Sequence, residues 1–172
     1  MIENGDYSFK QRVDLLQQTF LRCGIAFEKS VVSESSGVVS WTLQLDGRKV
    51  TLQAFLKNIG NSGWSSRPDI KRIQIPALTD RGFLPTTQQN ISIILGFVLS
   101  NGDLILAAWN PFLFMFHQTT RSAYLYTDSI DEVASAGMIR RLEKGVPLIA
   151  ARQERFKDLL LQYWKDNEAN VL

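Results

Sequence analysis

Apolar positions near the start of the chain recur every three to four residues. Between Asp6 and Gly24 the residues Phe9, Val13, Leu16, Phe20 and Leu21 hold that spacing, with Asp6 as a candidate cap and Gly24 past the end, which predicts an amphipathic helix. The pattern then changes to alternation and short β-branched runs. Ala26 to Val32, Val38 to Leu45, Arg48 to Phe55 and Arg72 to Ile75 read as strands. Asp46-Gly47, between the second and third, is a two-residue type I′ hairpin signal because both positions tolerate positive φ. Ile91 to Leu99 and Leu104 to Trp109 form another strand pair around Ser100-Asn101-Gly102-Asp103, and Ser122 to Tyr126 adds one more strand. Toward the C-terminus, Asp128 to Ala134 predicts a helix capped by Asp128-Ser129. Val146 to Trp164 carries Leu148, Ile149, Phe156, Leu159, Leu160 and Trp164 along one helical face. The expected fold class is α+β: about six or seven mostly antiparallel strands in a curled sheet, with helices at both ends.

Composition narrows the class. A chain of 172 residues, 45% hydrophobic and 21% charged, fits a single globular domain spanning 1–172. A net charge of +2 and a pI near 8.8 are too mild to indicate a nucleic-acid partner, so any basic footprint must come from local placement. One cysteine, Cys23, and one histidine, His117, exclude an intramolecular disulfide and argue against a structural zinc site, and they fit a cytoplasmic protein. No basic n-region and apolar run open the chain, and its apolar stretches fall short of the ~20 residues that span a bilayer, so no membrane partner is expected.

The usual catalytic sets are not legible. His117 is the sole candidate base for a Ser-His-Asp triad, and no Gly-x-Ser-x-Gly elbow accompanies it. Pro68-Asp69 resembles the start of a metal-dependent nuclease motif, but no acidic-x-Lys strand follows. Gly60 and Gly63 lack the Lys-Ser/Thr of a phosphate-cradling loop. The expectation is a non-catalytic module with no cofactor.

Two polar arms remain. The first gathers Lys57, Asn61, Trp64, Ser65, Ser66, Arg67, Asp69, Lys71, Arg72 and Gln74. The second gathers Asn110, His117, Gln118, Thr119, Thr120, Arg121, Ser122 and Tyr124. Arginine reads guanine O6 and N7 bidentately, Asn and Gln do the same for adenine, and the hydroxyls and cations suit phosphates. Asp69 reads as a turn residue or as the partner that orients Arg67 or Lys71. The same residues also read as solvated loops, with Trp109 and the Phe112 to Phe116 run in the core. Two arms flanking a β-core would grip a duplex from both sides.

The segment from Asn61 to Ile75, the strand pair ending in Ala107-Ala-Trp-Asn-Pro111, and Arg121-Ser-Ala-Tyr124 together resemble the B3-like DNA-recognition domains of prokaryotic restriction endonucleases of the EcoRII and LlaJI types. The resemblance runs from about Glu28 to Tyr126. It implies a B3-like pseudobarrel that clamps the major groove, with cleavage left to an attached nuclease or AAA+ motor in restriction or phage defence. The implied function is sequence-specific, or methylation-aware, binding of double-stranded DNA. The alternatives are a divergent nuclease using Asp69 or Asp103 with Lys71, or a protein-interaction module. A flipped-base pocket built from Trp41, Trp64, Trp109 and Tyr124 is a variant of the leading reading.

Overall fold

The computed structural model describes residues 6–28, 31–33, 37–61, 65–78, 81–114 and 121–168. Helix α1 (Phe9–Arg22) begins at Ser8 rather than Asp6. The Gln11 N–H donates to the Ser8 hydroxyl at 3.2 Å and the Ser8 N–H donates to the Gln11 side chain at 2.8 Å, a capping box. The strand predicted over Ala26 to Val32 is two short strands, β1 (Ala26–Phe27) and β2 (Val31–Ser33), both paired with β3 (Val38–Leu45).

The two predicted hairpins form as expected. β3 turns into β4 (Arg48–Asn58) at Asp46-Gly47, with φ of 47° and 76°. β7 (Asn90–Ser100) turns into β8 (Asp103–Trp109) at Asn101-Gly102, with φ of 50° and 83°. β4 and β7 pair in parallel, which demands a long crossover. That crossover carries two further strands, β5 (Gly60–Asn61) and β6 (Ile70–Ile75).

The C-terminal third departs from the sequence reading. Helix α2 (Thr127–Ala136) is where a helix was expected, but Val146 to Trp164 is not one helix. β10 (Met138–Glu143) and β11 (Val146–Arg152) form a hairpin, and helix α3 starts only at Phe156 and ends at Asn167. Its turn is Lys144-Gly145, with φ of 48° and 78°, the same backbone solution as Asp46-Gly47 with a residue that rarely adopts it.

The large sheet has eight strands in the order β1-β3-β4-β7-β8-β11-β10, with β2 also on β3. It does not close: the order ends at β10 and does not return to β1, so the pseudobarrel is replaced by an open layered sheet. The burial of β7 gives the physical reason. Every residue from Ile91 to Phe97 is buried, which requires cover on both faces, whereas a barrel strand shows one face to its interior and the other to solvent. One cover is α1 with α3: Leu16 and Phe20 of α1 and Phe156, Leu159 and Trp164 of α3 pack on Trp41, Leu52, Ile93 and Leu95. The other cover is a three-stranded sheet, β5-β6-β9 with β9 spanning Arg121–Tyr126, together with α2. Its Ile73, Ile75, Ala123 and Leu125 meet Ile94, Ile105 and Trp109 across the second apolar layer, with Ile130 and Val133 of α2 beside them. No helix among the described residues is long and apolar enough to cross a membrane.

Candidate nucleic-acid interface

The strands that carry the two predicted arms are neighbours. β6 and β9 pair antiparallel over their whole lengths, with Arg72 opposite Tyr124, Gln74 opposite Ser122 and Ile75 opposite Arg121. The arms therefore do not flank the core as two jaws. They build one surface, because the strand alternation that sends Ile73, Ile75, Ala123 and Leu125 inward turns Arg72, Gln74, Ser122 and Tyr124 to the other side. Of that outer set Gln74 is exposed and Arg72, Ser122 and Tyr124 are half-buried, whereas Arg121, opposite Ile75, shares the inward register and is exposed at the start of β9.

The surface is framed by fixed cations. Arg67 donates bidentately to Asp69, Nε to Oδ1 and Nη2 to Oδ2, both at 2.9 Å. That pair raises the Arg67 guanidinium pKa further, first by the hydrogen bond and then by the Asp69 charge, and it lowers the Asp69 carboxyl. Asp69 is thus the orienting partner of Arg67. With both carboxylate oxygens taken, it is poorly disposed to ligate a metal. Lys71 stands opposite Leu125, on the same side of the ribbon as Ile73 and Ile75, and donates to the Asn61 side chain across the β5-β6 pair. Ser65 and Ser66 are exposed in the turn before Arg67.

Sequence reasoning missed one contributor. Lys144, at the tip of the β10-β11 hairpin, holds its ammonium 4.5 Å from the centre of the Tyr124 ring. The signal that would have found it is the Lys-Gly turn, legible only once β10 and β11 are recognised as strands.

Other predicted site residues lie elsewhere. Asn110 caps the 3-10 turn Pro111–Leu113, accepting from the Phe112 N–H at 2.9 Å, and donates to Asn167 of α3 at 3.0 Å, so its side chain is used within the fold. Lys57, on β4, sits 6.0 Å from the Phe55 ring and is half-buried. Trp64, His117, Gln118, Thr119 and Thr120 lie outside the described residues. Trp41 and Trp109 are each 1% exposed and belong to opposite apolar layers, so they cannot form the two walls of one flipped-base pocket.

A family model described as methylase-associated X1 matches residues 50–160. The chain belongs to the methylase-associated X1 family. The match takes in the whole small sheet, α2 and the β10-β11 hairpin, and leaves α1 outside. Membership suggests a role in restriction–modification systems, as the resemblance implied, but not the B3-like recognition domains of EcoRII-type enzymes in particular. No curated protein and no solved structure matches this methylase-associated X1 chain.

Proposed function

We propose that this methylase-associated X1 chain is a double-stranded-DNA recognition module of a restriction–modification system, and that the outer face of its small sheet is the DNA surface. The observation that carries the reading is the pairing of Arg72 and Gln74 with Tyr124 and Ser122 on one face of a two-strand ribbon whose other face is anchored in the core. A two-stranded antiparallel ribbon fits the ~12 Å major groove, where arginine and glutamine have bidentate partners on guanine and adenine. Arg67 and Lys144 beside that face supply the phosphate contacts that set register. A protein working beside a methylase gains from reading the methylase's own target, so the duplex to test is offered both with and without base methylation. DNA cleavage, on this reading, belongs to a nuclease or AAA+ motor that acts with the chain.

Selection from a random duplex library tests the proposal. It predicts an enriched motif and affinity that falls steeply with salt. Recovery of no motif, with binding insensitive to salt, removes it.

A further inference from the structure

The outer register of the ribbon holds Ile70, Arg72 and Gln74 on β6, with Tyr126, Tyr124 and Ser122 opposite them on β9. Two of these side chains are rings. Tyr126 stands at the end of the ribbon, opposite Ile70, which is 1% exposed. Tyr124 stands in the middle, directly across from Arg72 and one diagonal step from Gln74. Directly opposite residues of an antiparallel pair hold their Cβ atoms about 4.5–5.5 Å apart, so the Tyr124 ring and the Arg72 side chain leave the ribbon as neighbours. The ring is also held from outside the small sheet. The Lys144 ammonium, at the tip of the β10-β11 hairpin, lies 4.5 Å from the ring centre. That contact fixes a half-buried side chain before any ligand arrives, so little ordering is left to lose on binding.

The chemistry of the outer face singles out Tyr124. The major groove offers hydrogen-bond donors and acceptors on every base pair but a single kind of apolar group, the methyl on C5 of a pyrimidine. Arg72, Gln74 and Ser122 all end in hydrogen-bonding groups and have no apolar surface to offer at their tips. Tyr124 brings an apolar ring to the middle of the same face. Successive bases stack about 3.4 Å apart, close to the lateral spacing of a cross-strand pair, so Arg72 and Tyr124 reach adjacent base pairs.

We propose that Tyr124 is a specificity-determining residue whose ring receives the C5 methyl of a pyrimidine next to the guanine held by Arg72. The inference rests on the DNA reading above and adds the group that is read. Thymine and 5-methylcytosine carry the same methyl at the same position. The first source makes Tyr124 a reader of sequence; the second, in a methylase-associated family, makes it a reader of methylation.

The test uses the intact protein and the duplex that emerges from random selection. Each thymine is replaced in turn by deoxyuridine, which deletes the methyl, and each cytosine in turn by 5-methylcytosine, which adds it. At one position beside a required guanine, the methyl should tighten binding about fourfold, the worth of one buried methyl group. Tyr124→Phe should keep that difference and Tyr124→Ala should abolish it. A response at a thymine assigns the sequence source, and a response at a cytosine assigns the methylation source. A 5-iodopyrimidine at that position, irradiated with the wild-type protein, should cross-link to Tyr124, a result that needs no variant to fold. A duplex that binds with no methyl-sensitive position, or a cross-link to another residue, overturns the inference and leaves the DNA reading standing. A protein that binds no duplex defeats the DNA reading itself, and the inference falls with it.

Discussion

Gly96→Ala is the sharpest probe of how the small sheet is fixed to the large one. Gly96 lies within β7, opposite Lys57 on one side and Ala107 on the other. A Cβ there would stand 2.6 Å from Ile59 Cγ1, 2.8 Å from Ile59 Cδ1 and 3.1 Å from Trp109 Cζ3. The nearest contact is about 0.8 Å inside the 3.4 Å at which ordinary contact begins. Ile59 cannot readily retreat: it is 5% exposed, its N–H is bonded to the Phe97 carbonyl at 2.9 Å, and the next residue opens β5. Overpacking of this kind costs about 1–3 kcal/mol. Ile59→Ala alone removes three buried carbons at ~0.8 kcal/mol each and leaves a cavity, for a total of about 2–5 kcal/mol. In the double variant the new methyl enters the vacated space, so the two losses should fall short of additive by about 1–2 kcal/mol. Urea unfolding of the four proteins, followed by tryptophan fluorescence, measures this. Additivity within about 0.5 kcal/mol, or a Gly96→Ala loss below about 0.5 kcal/mol, refutes the close approach as the constraint.

Two further predictions concern stability. Ser8→Ala removes the hydroxyl half of the α1 capping box and should cost about 1 kcal/mol in urea unfolding, with Ser8→Gly costing only a few tenths. The Tyr163 hydroxyl, buried and donating to the Ser92 carbonyl at 2.6 Å, has its pKa pushed well above the ordinary 10.0 of a phenol by desolvation. The unfolded chain then loses that proton first, so this contribution is intact below pH 10.0 and is lost as pH rises above it. Tyr163→Phe should lower stability by about 1–3 kcal/mol at neutral pH through its orphaned carbonyl partners and flatten the alkaline fall. An equally steep fall in the variant contradicts that assignment. Lys57 acts with the opposite sign, because its depressed pKa makes stability rise with pH just below 10.5.

Much of the central sheet was legible because its signals are local. Asp46-Gly47 and Asn101-Gly102 each set two positive φ values next to β-branched strands, so the β3-β4 and β7-β8 hairpins follow from a few neighbouring residues. The β10-β11 hairpin was not, since its turn is Lys144-Gly145 and its strands hold Arg, Leu, Glu and Ala, residues at home in a helix. The helix cap went to Asp6 by composition, whereas the deciding feature is the Ser8–Gln11 reciprocity. The arm residues were identified by type, but their arrangement was not. Pairing of Arg72 with Tyr124 joins strands far apart in the chain, and no local pattern distinguishes two jaws from two neighbouring strands. Closure of the sheet was misjudged for a related reason: the apolar run from Ile91 to Leu99 does not by itself tell which layers cover its two faces.

The central claim is that DNA lies on the small sheet and not on the helical layer opposite. Fluorescence anisotropy with the selected duplex, run on wild type, Arg72→Ala and Lys165→Ala, tests it most directly, because Arg72 turns outward from β6 and Lys165 is exposed on α3. Arg72→Ala should weaken binding by about 1–3 kcal/mol and relax the preference at one base position, while Lys165→Ala leaves both unchanged. Equal losses in the two variants, or an unchanged affinity in Arg72→Ala, would contradict it.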